Sequence, residues 1–316
     1  MFQWCVLLAA ALLIAGGGYL YLRLDDEIRR QVECRIAEHY PELNVHVGRA
    51  RFDQDRGIAI FDVGIARPQS ETPGEPMLAI EEMYLAGKVR MEQLLTSELP
   101  ISEIVVRRVT LRAVRSADGR WSVSSLMPVP CFGTQSPVVN IEDATLIVED
   151  AATPGAKQTL KGIQLRLTPS VVGSGAAPSD KGYHVKGTAT GLPARELRFA
   201  GELNAVDGSL NVTINATGVE VSTELLGSVP GLPSGKLTGT EVSGRADATV
   251  QIGRANASVP LSWSADVNLF HGRFRHAMLP EPLTEVGLTA HATPERLLIK
   301  RLDAKLGSAN IAFAAE

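Results

Sequence analysis

From Val45 onward the apolar residues of this chain recur at every second position. Val259, Leu261, Trp263, Ala265, Val267 and Leu269 make the longest clean alternation. Leu197, Phe199, Gly201, Leu203 and Ala205 share one face of another run, and Leu210, Val212, Ile214 and Ala216 share a face of the next. A period of two is that of a β-strand, whose side chains point to opposite faces in turn. The chain is therefore constrained to be sheet, apolar on one face and polar on the other.

Further strands are expected over Val45 to Phe52, Gly57 to Val63, Met77 to Leu85, Ile104 to Arg115, Val139 to Glu149, Ile163 to Leu167, Tyr183 to Thr190, Ala246 to Ile252, and Leu297 to Leu306. Asp207-Gly208 between two runs is a hairpin signal. Short helical pieces interrupt the pattern at Met91 to Leu95 and Thr223 to Leu226. A dozen or more strands joined by hairpin-length turns imply antiparallel neighbours. A closed sandwich is the default for such a pattern, and a long curved sheet with an apolar inner face is the alternative. Aromatic residues are only 5% of the chain, which points toward thin or open packing. The last residues, GSANIAFAAE, are strand-like and uncapped, so the sheet is expected to continue.

The segment RRVTLRAVRSADGRWSVSSL, residues 107 to 126, combines these features. Val109, Leu111 and Ala113 alternate with Arg108, Thr110 and Arg112, so a strand with a cationic outer face runs into Asp118-Gly119 and a lone Trp121. Asp-Gly supplies the backbone of a tight turn, and Trp121 can cap the end of a sheet.

The N-terminus obeys a different rule. Residues 4 to 22, WCVLLAAALLIAGGGYLYL, carry no charge and come close to the ~20 residues that cross a bilayer as a helix. Trp4, Tyr19 and Tyr21 flank the run as interfacial aromatics do. A cleaved signal peptide is the alternative, with Ala15 and Gly17 as small residues at a cleavage site. The first residues lack the Lys or Arg of such a peptide, and an uncleaved anchor over residues 1–23 is favoured. Arg23, Arg29 and Arg30 after the span would, by themselves, keep the body in the cytoplasm. Residues 24 to 39 form an amphipathic helix in which Leu24, Ile28, Val32 and Ile36 share a face, ended by Pro41.

Composition excludes some functions. The chain is 45% hydrophobic and 21% charged, with a net charge of −4, so it is globular and lacks the basic excess of a nucleic-acid binder. The six histidines are scattered without metal-ligand spacing. PGLPSGKL at 230 to 237 imitates a phosphate loop, but begins with proline and has no hydroxyl after its lysine. No Gly-x-Ser-x-Gly elbow occurs, and carboxylates stand singly or on solvated strand positions. No catalytic residue, metal or cofactor is indicated. The sequons at Asn211, Asn215 and Asn256 are expected by chance in such a chain. Cys34 and Cys131 can form a disulfide in an oxidising compartment, or remain two free thiols.

An order of motifs adds to this. VHVGRARFDQDRGIAIFDVGIARP follows the anchor and helix, then MLAIEEMYLAGKVRMEQLLTSELPISEIVVRRVTLRAVRSADGRWSVSSL. LLGSVPGLPSGKLTGTEVSGRADATVQIG and LSWSADVNLFHGRFRHAMLPEPLTEVGLTAHATPERLLIKRLDAKLGSANI come later. The arrangement resembles the AsmA-like family, related to TamB and YhdP in the bridge-like lipid-transfer group. Met91 to Leu95 matches that family's short Leu-Leu helix, and Asp118-Gly119-Arg120-Trp121 its Asp-Gly-x-Trp turn. The resemblance implies an N-terminal transmembrane helix followed by a long twisted antiparallel β-groove, taco-like, with a few short helices. It divides the chain into an anchor (1–23), a helix plus β cap region (24–127) and a repeating groove (128–316). It also implies inner-membrane anchoring, a periplasmic body, and work in phospholipid traffic or outer-membrane assembly, against the arginine count. Val109, Leu111, Ala113, Val259, Leu261, Trp263, Ala265, Val267 and Leu269 are the candidate groove lining. Phospholipids, the inner membrane and outer-membrane assembly or lipid-transport proteins are the implied partners.

Overall fold

In the computed structural model, residues 25–53, 57–68, 75–87, 101–127, 136–152, 157–170, 182–191, 194–228 and 239–314 are described. The anchor segment, Met91 to Leu95 and residues 230 to 237 lie outside them. No helix among the described residues is long and apolar enough to cross a membrane.

The body is one mixed sheet of 14 strands, in which spatial order is sequence order. The strands are β1 (Asn44–Asp53), β2 (Gly57–Ala66), β3 (Leu78–Ala86), β4 (Glu103–Arg115), β5 (Val138–Asp150), β6 (Lys157–Pro169) and β7 (Gly182–Gly191). They continue as β8 (Ala194–Asn204), β9 (Leu210–Ser222), β10 (Thr240–Arg254), β11 (Ser262–His276), β12 (Leu283–Ala292), β13 (Leu297–Leu306) and β14 (Ala309–Ala314). Helix α1 is described over 25–39 and α2 over Thr223–Ser228. Fourteen strands span roughly 60 Å at the usual ladder spacing.

Three expectations need correction. The described residues hold no second sheet, so the closed sandwich is replaced by a single layer. The sheet is not wholly antiparallel, because β4 and β5 run parallel from Glu103↔Val138 to Arg115↔Asp150. A parallel neighbour requires the chain to return to the strand's starting end through a crossover of a dozen or more residues. Asp118-Gly119 therefore does not join two long strands. It closes a local loop, with Arg115 bridged to Trp121, and a 3₁₀ turn over Ser122–Leu126 begins the return.

The third correction concerns the alternation itself. In β2, Ile58 and Ile60 are buried, and so are Val63 and Ile65, although the parity has changed. The change falls at Asp62, whose φ of 58° is left-handed. Phe61 pairs with Glu82 and Val63 with Ile80, so Asp62 and Glu81 drop out of register together. The register is the same on both sides of this step, so no residue is inserted, and the left-handed turn itself re-aims the rest of the strand. Without it, the second half of β2 would turn its apolar residues outward. Arg108 (φ 50°) does the same in β4, Asp143 (φ 55°) in β5, His271 (φ 50°) in β11 and Glu285 (φ 54°) in β12. Glycine holds the equivalent place in β6 (Gly162) and β9 (Gly218). Each slip keeps one continuous apolar face on a long strand.

Packing differs along the sheet. At its start, Ile28, Ile36, Tyr40 and Leu43 from α1 and the turn after it join Val47, Ile60, Met83 and Ile104 in one buried cluster. Full burial of an Ile or Leu contributes roughly 1.5–3 kcal/mol. Helix α1 also covers the β1 edge: Val47 N donates to Glu33 Oε2 (3.3 Å), and Arg29 Nη1 donates to Val47 O (3.3 Å). A second, smaller cluster centres on Ala144, Ile163 and Ala189. In β14, by contrast, every residue is exposed.

Candidate functional site

The sheet curls far enough for its first strands and the β10–β11 loop to line one cavity of ≈1130 Å³. Its floor is the inner face of β2 to β4, including Val63, Ile80, Val106, Val109 and Leu111. Ile36 and Tyr40 contribute from the α1 side, and the crossover after β4 adds Trp121, Leu126 and Met127. Tyr183, Leu203, Leu210, Val259 and Leu261 complete the wall where β7, β8, β9 and β11 begin or end. The volume is at or above the upper end of small-molecule pockets, which run to roughly 1,000 Å³. The lining is almost wholly apolar.

The crossover is built to stay in place. Ser116 N donates to Arg120 O and Gly119 N to Ser116 O, both at 2.9 Å. The Ser116 hydroxyl donates to Asp118 at 2.7 Å and helps hold that carboxyl below the usual carboxylate range. Ser122 Oγ accepts from Val114 N (2.9 Å) and donates to Arg112 O (3.3 Å), tying the 3₁₀ turn to the strand it crosses. Arg67 Nη2 donates to Ser122 O (3.0 Å) and Tyr40 OH to Leu126 O (3.0 Å). Burial pushes the Tyr40 hydroxyl up to about 12. Trp121 thus lines a cavity rather than only capping a sheet end.

The expected cationic face of β4 is neutralised. Arg108 pairs with Glu81 and Glu82, Arg107 with Glu142 (2.8 Å), and Arg112 with Glu75 and Glu149. The Arg108 guanidinium holds Glu82 below its ordinary range. Charge is arranged along the outer face and hydrocarbon along the inner one.

Of the sequence candidates, the cavity brings together Val109, Leu111, Val259 and Leu261. Ala113 is buried further along β4. Val259 and Leu261 were expected inside a strand but precede it, because β11 begins at Ser262. Pro260, which has no N–H to donate to a ladder, separates them. Trp263, Ala265, Val267 and Leu269 continue the inner row beyond the cavity. They pair with Ile252, Val250, Ala248 and Ala246 of β10. The last three are half-buried, and Trp263 is 40% exposed.

Sequence reasoning missed Ile80, Val106, Leu126 and Tyr183 as lining. For Ile80 and Val106 the signal was present: a polar pair, Glu81-Glu82 or Arg107-Arg108, marks where apolar parity changes. Cys34 is an exposed free thiol, raised above its ordinary value by the Glu38 carboxylate, and Cys131 lies outside the described residues. The described residues contain no group of three side chains able to hold a metal.

No family model matches the chain, and no curated protein matches it.

Proposed function

We propose that the chain carries phospholipid by holding acyl chains against the inner face of its curved sheet, in the manner of a taco-like groove. The observation that carries this reading is an apolar inner row with no second layer over it among the described residues. Val250, Ile252, Val267 and Leu269 remain only half-buried although they share one face. A folded protein ordinarily covers such a face, whereas an acyl chain gains about 0.8 kcal/mol for every CH₂ it buries there. The left-handed steps support the reading because they keep the lining continuous along strands whose parity changes. Sliding along such a face requires no catalytic residue or cofactor, and the reading is non-enzymatic.

In this proposal residues 1–23 anchor the chain in an inner membrane, the body lies in the periplasm, and its work is outer-membrane biogenesis. The AsmA-like motifs quoted above support that placement. The partners are phospholipids and proteins of outer-membrane assembly or lipid transport. A second reading, a membrane-anchored assembly factor that templates client strands with an empty groove, is favoured by the exposed strand β14 with Ile311 and Phe313.

Native mass spectrometry of the full chain in a mild detergent separates the two. Several phospholipids per chain are expected for a groove, and a well-folded, lipid-free chain would establish the assembly reading instead. Leu261→Glu with Val267→Glu is expected to lower bound lipid several-fold while strand content by circular dichroism is unchanged. Equal loading of this variant and the wild type would show that the assigned face is wrong.

A further inference from the structure

The cavity is apolar but not uniformly so, and its charged members are informative. Among the described lining residues they are Asp118, Arg120 and Arg254. Asp118 and Arg120 pair with each other at 3.3 Å on the crossover turn, where both are well exposed. Arg254 is different. It is the last residue of β10 and stands in line with Val250 and Ile252, on the parity that faces inward, with Leu210 as its cross-strand neighbour. Every other side chain of that row from Ala246 to Ile252 is apolar.

The Arg254 side chain is fixed from one side. Nε donates to Gly208 O at 2.7 Å, in the β8–β9 turn, and Ala257 N donates to Asp207 O at 2.8 Å, binding that turn to the β10–β11 loop. Its Nη2 is shut off from solvent and has no hydrogen-bond partner. No ion pair involving Arg254 occurs among the described residues. A guanidinium remains charged at any physiological pH and carries five donors. A buried donor left without an acceptor costs about 1–3 kcal/mol. Native structures rarely tolerate such a group unless an ion, water or ligand satisfies it. An arginine is also the side chain best matched to the two oxygens of a phosphate or carboxylate.

We propose that Arg254 is an anion-selecting residue at the rim of the cavity, so that the amphiphile lodged there carries an acidic head, phosphate or carboxylate, with its hydrocarbon tail against the apolar floor. This rests on the lipid-carrying reading and goes beyond it by giving the groove a headgroup preference at one position. The apolar row from Ala246 to Ile252 imposes none. The phosphate of an anionic phospholipid and the carboxylate of a free fatty acid present the same chemistry to Arg254, and they differ in what accompanies it.

The test is competitive loading of the full chain in a mild detergent with phosphatidylglycerol, oleate and phosphatidylcholine, read by native mass spectrometry. The wild type is expected to retain one of the two anionic amphiphiles over phosphatidylcholine by roughly tenfold or more, the range of a charge-assisted hydrogen bond. Preference for phosphatidylglycerol identifies a phosphate head, and preference for oleate a carboxylate. Arg254→Met keeps the apolar stem and is expected to lose the preference without losing total lipid, whereas Arg254→Lys keeps part of it. Loading without preference in the wild type, or a preference that survives Arg254→Met, overturns the role of Arg254 and leaves the groove intact. A wild type that loads none of the three overturns the lipid-carrying reading and this one with it. Should Arg254→Met fail to fold, Arg254→Gln serves as the neutral variant.

Discussion

The two ends of the sheet are built from similar sequence and come out differently. At the first strands, Val47 and Ile60 are entirely buried, and α1 covers both the apolar face and the outer edge of β1. At the last strands, Leu297 is 66% exposed and Phe313 53%. Alternating apolar residues supply a face. Whether that face becomes a core or a lining depends on what else the chain places over it. Among the described residues one helix and one crossover are the difference, so the first end is a cap and the second an open surface.

The comparison can be broken most severely at the left-handed step of β4. Arg108→Val disfavours the left-handed backbone that Arg108 adopts (φ 50°), and a regular strand through that position would point Val109, Leu111 and Ala113 outward. The expected result is loss of the cooperative unfolding transition of the first strands, followed by hydrogen exchange. Arg108→Gly is the control. It relieves the left-handed backbone and removes exposed ion pairs worth little, and a change within about 1 kcal/mol is expected. A valine variant as mild as the glycine variant would mean that the parity change does not hold β4 in place.

Truncation of single side chains sharpens the contrast. Ile60→Ala is expected to destabilise the capped end by about 2–5 kcal/mol, the usual cost of emptying a core position. Leu269→Ala, half-exposed on an unroofed strand, should cost roughly 1 kcal/mol or less. Urea midpoints for the two variants check this, and equal losses would mean that β11 is covered by something of its own.

A smaller effect is expected from pH. Tyr40 has its hydroxyl raised by burial to about 12, above the ordinary value of 10. The folded state then holds a proton that the unfolded chain has released, so the contribution of Tyr40 is complete below pH 10 and is lost as pH rises toward 12. The loss should loosen the crossover, which Tyr40 holds through Leu126 O. Tryptophan fluorescence across that range should report a transition in the wild type that Tyr40→Phe lacks.

Much of this architecture was legible because a two-residue period has one structural meaning. Strands β8 to β10 lie close to where Leu197 to Ala205, Leu210 to Ala216 and Ala246 to Ile252 placed them, and Asp207-Gly208 does turn β8 into β9. Strand β12 was overlooked because Glu285 breaks its alternation: Leu283 lies on one parity, and Val286, Leu288 and Ala290 on the other. The parallel pair was illegible for another reason. Asp118-Gly119 obeys the local rules of a hairpin, and only the tertiary packing of Trp121 and Ser122 shows that the chain doubles back across the face. The cavity combines residues far apart in sequence, such as Leu111 and Leu261, and no local pattern encodes how far a sheet curls. Arg254 was hidden in plain view, as a single charge at the end of an apolar row.

Strand order that follows sequence order has a consequence for assembly. Each ladder joins neighbours in the chain, so no pairing has to wait for a distant segment to be synthesised. Closing a short loop is entropically cheap compared with closing a long one, and low sequence separation speeds folding. After the β4–β5 crossover, each new hairpin can dock on the strand just completed as the chain emerges. The growing end remains a template throughout, which makes adding or removing a pair of strands a change of length rather than a change of fold.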